Sequence, residues 1–204
     1  MPGRSWKPLA PAIALVALAM VPPIGWGATS RGDYAALVNP ICASTNAEVD
    51  ELSRRTSREL KLLDRKLKRA TGADRRRLLA RRQKLSSSLP GRRLKLFSAE
   101  LGQLRSVPAA PGDESLVLSW LDTRKAILDL SAQVNLIDRR VDSLLGRFTT
   151  RSIPELNRLE RKIRKLDKRA GQLNNQLISL QNLDDDLGTE LGAASCIAEA
   201  GGPP

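Results

Sequence analysis

The stretch AILDLSAQVNLIDRRVDSLLGRF, residues 126–148, decides how the chain folds. Its apolar side chains fall at Ile127, Leu130, Val134, Ile137, Val141, Leu144 and Phe148, in alternating steps of three and four. One face of an α-helix has that spacing, whereas strand side chains alternate every two residues. Trp120 lies seven residues before Ile127 and extends the stripe.

Downstream, residues 149–152 interrupt the pattern. Ser152 reads as an N-cap, with Pro154 in the first turn and Glu155 three residues after the cap. A last helix then repeats the register at Leu156, Leu159, Ile163, Leu166, Ala170, Leu173, Leu177 and Leu180. The next position is Asp184, so the heptad is expected to fail there. A three-residue slip onto Leu183, Leu187, Leu191 and Ala194 would carry the apolar face onward and overwind a coiled coil locally. This C-terminal extension is a candidate homodimer seam. The acids of LDDDLGTE, residues 183–190, lack the spacing of a calcium loop and read as a solvated face.

Upstream, VPAAPGDE, residues 107–114, is a loop, because Pro108, Pro111 and Gly112 forbid regular helix; Asp113 can cap the helix that follows. Asn39 and Pro40 read as N-cap and first residue of an earlier helix. Its face is Ile41, Thr45, Val49, Leu52, Thr56, Leu60, Leu63, Leu67 and Ala70, and Thr71–Gly72 ends it. A second segment carries Leu78, Leu85 and Leu89, meets Pro90–Gly91, and resumes at Leu94, Phe97, Leu101 and Leu104. Proline removes a backbone donor, so a kink or break is expected at residues 89–91. No strand pattern of useful length occurs.

The expected fold is all-α, an elongated antiparallel up-down bundle of about four helices with coiled-coil-like heptads. Only two cysteines occur, Cys42 and Cys196. Four antiparallel helices return the chain to its starting end, which predicts that these two meet in a disulfide closing the bundle. With residues 73–105 loosely attached, three helices would instead leave the cysteines at opposite ends.

Compartment points the same way. Arg4 and Lys7 precede an apolar run from Leu9 to Val21, and Gly25 and Gly27 offer small residues for a cut after Gly27. That is the layout of a signal peptide over residues 1–27. The run is short for a membrane span; an uncleaved membrane anchor is the alternative. The division is then a signal peptide (1–27), a lead-in (28–38), the helical bundle (39–197) and a tail (198–204). A secreted or extracytoplasmic chain oxidises its thiol pair. With no transmembrane domain after cleavage, the mature chain would stand in the cell envelope.

Histidine is absent, which excludes histidine-based triads and general bases. Two cysteines cannot close a zinc site unaided. Nucleophile elbow, phosphate loop and dinucleotide fingerprint are all missing. No enzyme, metal or cofactor is therefore expected.

Charge is the other signal. Lysine and arginine number 34 against 22 acids, and residues 54–95 hold 17 basic residues and three acids. Arg54, Arg58, Lys61, Arg65, Arg75, Arg76, Arg77, Arg81 and Arg82 are candidate anion-binding residues on the first hairpin, set against the plainer reading of a solvated surface. Base stacking needs exposed aromatics, which this stretch lacks, so sequence-specific nucleic-acid recognition is not expected. Ser86–Ser88 leave room for a small-molecule pocket between helices.

The segment DYAALVNPICASTNAEVDEL, with Tyr34, Ile41–Cys42 and Asn46, resembles the opening of a group of uncharacterised exported or lipid-anchored helical proteins of high-GC Gram-positive-type bacteria. VPAAPGDESLVLSWL and the closing LGAASC are similar to later features of that group. This chain differs in lacking a lipobox cysteine, in Pro40 and in its arginine load. The resemblance implies a disulfide-closed helical bundle and no particular activity. Taken together, the expected function is a secreted, non-enzymatic structural or interaction module at the cell envelope, with an unknown protein or anionic polymer as partner. The alternative is a basic protein that binds polyanions or anionic membrane surfaces through residues 54–95.

Overall fold

A computed structural model describes residues 28–145 and 153–197. It shows four long helices: α1 (Arg31–Leu67), α2 (Gly72–Leu104), α3 (Glu114–Leu145) and α4 (Ile153–Glu190). A 3-10 turn, Ala194–Cys196, follows α4. No strand occurs among the described residues. At about 1.5 Å per residue, the 37 residues of α1 span roughly 55 Å. The chain folds as an all-α four-helix bundle. The expected signal segment, Phe148, the Ser152 cap and the tail lie outside the described residues.

Neighbours in sequence pack side by side: α1 on α2, α2 on α3, α3 on α4. The bundle closes chiefly through the 3-10 turn, which packs on α1. Because α2 is docked on both neighbours, the three-helix arrangement does not occur, and Cys42 and Cys196 are joined. The main core gathers at that end: Tyr34, Val38 and Cys42 of α1, Leu101 and Leu104 of α2, Val117, Trp120 and Leu121 of α3, with Leu191, Ala193 and Cys196. Leucine alone does not build it. One Trp and one Tyr form its centre, their rings 6.5 Å apart, edge to face.

Three local expectations are corrected. First, α1 begins at Arg31, capped by the Ser30 hydroxyl on the Asp33 amide, so most of residues 28–38 is helix and not a lead-in. Pro40 lies inside the helix. It removes one bond to the Ala36 carbonyl, on an exposed residue where water can substitute. Second, α2 runs unbroken through Pro90. The carbonyl freed there belongs to Ser86, also exposed. Third, no three-residue slip occurs in α4. Asp184 keeps the inward position and is buried, Leu191 is fully buried, and Leu183 and Ala194 face outward. The register runs on with a carboxylate in place of an apolar residue. Leu187 and Leu191 pack into the chain's own core, so the proposed dimer seam is already occupied.

The predicted loop is present between α2 and α3. Gly112 takes φ +90°, the left-handed conformation that glycine adopts without strain. The Asp113 carboxylate does not cap α3. It accepts two bonds from Arg31, at 3.0 Å from Nε and 2.6 Å from Nη2. The same guanidinium donates to the Glu190 carbonyl at 3.3 Å. One side chain thus fastens the start of α1 to the α2–α3 loop and to the end of α4, and the Arg31 cation holds the Asp113 carboxyl below its ordinary range.

Candidate functional site

On α1, Asn39, Cys42 and Asn46 are spaced by three and four, so all three share one face. That face receives the C-terminal turn. The Asn39 amide donates to the Gly192 carbonyl at 3.1 Å, and its oxygen accepts from the Ser195 amide at 2.8 Å. The Asn46 amide donates to the Ser195 carbonyl at 2.9 Å. Between them Cys42 is bonded to Cys196, with Cα atoms 5.0 Å apart. Gly192 at φ +72° lets the chain reverse against α1, and a Cβ there would lie 3.3 Å from the Ala35 Cβ.

Behind the disulfide sits Arg124 of α3. Its guanidinium pairs with Glu100 of α2, with Asp184 of α4 at 3.2 Å, and with the Cys196 carbonyl. It lies over the Trp120 ring, 4.9 Å from the centroid, and its Nη1 stands 3.8 Å from the Cys42 sulfur. Glu100 and Asp184 are both buried. Desolvation raises both carboxyl pKa values against the pull of Arg124, and pushes Asp184 up to about 6. Two acids and one cation thus share a dry site that joins three helices and the C-terminal turn.

None of these three charged residues is conspicuous in its own segment, yet each occupies a core register. Arg124 lies four residues after Trp120 and three before Ile127; Glu100 sits three after Phe97; Asp184 continues the α4 heptad. Charges of opposite sign at seam positions of three helices are the sequence signal of such a cluster. Asp184, expected on a solvated acidic face, is instead 8% exposed.

The candidate anion-binding residues all lie exposed on α1 and α2, around the turn at residues 68–71 and along the flanking helices. Arg54 pairs with Glu51 at 3.6 Å and Arg82 with Asp64 at 2.7 Å. Arg58, Lys61, Arg65, Arg75, Arg76, Arg77 and Arg81 form no ion pair with a described residue. Beside Ser86 and Ser87 there is an open groove of about 380 Å³ between α2 and α3, bordered by Arg82 and Asp142.

No cluster of His, Cys, Asp or Glu able to hold a metal occurs among the described residues, and no helix among them is long and apolar enough to cross a membrane. No family model, curated protein or solved structure matches the chain.

Proposed function

We propose that the protein is a secreted, non-enzymatic helical module that serves a structural or interaction role at the cell envelope. One observation carries this reading. The buried acids Glu100 and Asp184 and the partly buried Arg124 are spent on one another, holding α2, α3 and α4 together behind a disulfide. Chemistry that could be offered to a substrate is sealed inside and stabilises the scaffold. A disulfide between two buried cysteines suits a chain matured in an oxidising compartment. Crosslinking on intact cells, followed by fractionation, tests the reading. The expected result is an envelope-associated, oxidised protein with a reproducible partner. A cytosolic pool with both thiols free removes it.

A second reading is favoured by the seven exposed cations of α1 and α2 that form no ion pair with a described residue: a surface for anionic membranes or wall polymers. Binding to anionic vesicles should then fall steeply from low to moderate salt, and fall again when Arg75–Arg77 and Arg81–Arg82 are neutralised. Absence of binding at low salt removes this second reading and leaves the first untouched.

A further inference from the structure

The half of the α3–α4 hairpin away from the disulfide carries a feature that none of the scaffold chemistry uses. An open groove of about 590 Å³ runs between the two helices. Its apolar lining is Leu136, Leu144 and Leu166, and Leu136 is half exposed. Arg139, Arg140, Lys162, Lys165 and Arg169 stand along it, all exposed. No carboxylate among the described residues lines it, and none of the five cations forms an ion pair with a described residue.

The acids of the same stretch are elsewhere. Asp138, Asp142 and Asp167 lie near one another, and their mutual repulsion, after burial, raises the Asp138 carboxyl above its ordinary range. Helical spacing of 100° per residue puts Asp138 and Asp142 on the far flank of the α3 seam from Arg140 and Ser143. On α3, therefore, Asp138 and Asp142 lie on one flank of the seam, and Arg140 and Ser143, which border the groove, lie on the other.

From this arrangement we infer that the α3–α4 groove binds a single-chain anionic amphiphile, a molecule with an alkyl chain and a phosphate or carboxylate head. A bare polyanion would satisfy the cations and leave the leucines wet. A neutral alkyl chain would cover the leucines and leave five cations unpaired. A ligand with both parts uses both, with the methylene stems of the lysines and arginines extending the apolar walls. The volume suits one small ligand. The lining spans about two helical turns, from residue 136 to residue 144, short of the roughly 12–15 residues over which a peptide helix becomes stable. The site is distinct from the α1–α2 cations and does not depend on them.

Titration calorimetry with the oxidised, full-length mature chain tests this. The probes are dodecyl phosphate below its micelle concentration, inorganic phosphate and dodecyl maltoside. Dodecyl phosphate should bind saturably, at least about tenfold more tightly than either control. The exposed double variant R140E/K165E should lose about tenfold or more of that affinity while keeping its helical circular dichroism. The variant R75E/R76E/R77E should bind as the parent does. Inorganic phosphate equal to dodecyl phosphate overturns the proposal, because the leucines then contribute nothing. Binding unaffected by R140E/K165E overturns it too. So does tighter binding of a Leu/Glu amphipathic peptide that displaces dodecyl phosphate, which would make the groove a peptide site.

Discussion

Arg124 on α3 and Asp184 on α4 lie 3.2 Å apart, with side chains only 14% and 11% exposed. Arg124 is the only cation in contact with either buried acid among the described residues. Arg124→Ala would leave Glu100 and Asp184 buried without a counter-charge. We expect a loss of about 3–5 kcal/mol in urea denaturation. Removing all three charges together, as E100L/R124M/D184L, should restore most of that loss, because burying a charge is what makes the remnant costly.

The same pair gives a pH signature. The folded pKa of Asp184, about 6, lies above its ordinary 3.8. The folded state therefore holds this proton more tightly than the unfolded state. The associated stability is fully present below pH of about 4 and is lost as pH rises through about 6. Asp33 and Asp113 shift the opposite way and dilute the effect in the parent profile. Comparison with Asp184→Asn isolates it: between pH of about 4 and about 7, the parent should lose up to about 3 kcal/mol relative to the variant. Parallel profiles by chemical denaturation at several pH values would contradict this.

The disulfide closes a sequence separation of 154 residues. On the chain-entropy account, C42S/C196S should cost about 5 kcal/mol at most. Asn39→Ala should cost about 1–2 kcal/mol, because it strands the Gly192 carbonyl and the partly buried Ser195 amide. In the reduced protein the turn is left to the asparagine bonds, the Arg124 bond to the Cys196 carbonyl and core packing, so hydrogen exchange at residues 192–196 should accelerate more in N39A after reduction than before.

Tyr34 is 1% exposed, and its hydroxyl has no hydrogen-bond partner among the described residues. Burial raises its pKa to about 12. Tyr34→Phe should therefore be neutral or stabilising by about 1 kcal/mol, since it removes a desolvated polar group and keeps the ring on Trp120. Thermal denaturation measures this directly, and a marked loss would mean that the hydroxyl has a partner.

Gly192→Ala should destabilise by roughly 1–3 kcal/mol. Its φ of +72° strains any L side chain, and the added methyl would press on Ala35. Gly102, with open space around it, serves as the control: Gly102→Ala should be neutral or stabilising.

The helices were legible because leucine spacing is a local, periodic signal. The steps through Ile127–Leu144 and Leu156–Leu180 appear in the structure as inward faces. The pairing of Cys42 with Cys196 followed from helix count alone. What sequence obscured were residues whose role depends on a partner far along the chain. Pro40 and Pro90 looked like boundaries, yet each frees a carbonyl on an exposed residue, where water makes the loss tolerable. Asn39 looked like a cap because its side chain suits one, but it bonds a turn more than 150 residues away. Asp184 looked like a fault in the heptad because its counter-charge, Arg124, sits 60 residues earlier.

The position of the disulfide has a mechanical consequence. A pull applied at Arg31 and Ile197 travels along the first turns of α1 to Cys42, crosses to Cys196 and leaves. Everything from the second half of α1 to the end of α4 lies outside that load path. Until the sulfur–sulfur bond is reduced, the two hairpins cannot be drawn out by tension between those points. Force that would strip an ordinary helical bundle turn by turn is carried here by a single covalent bond.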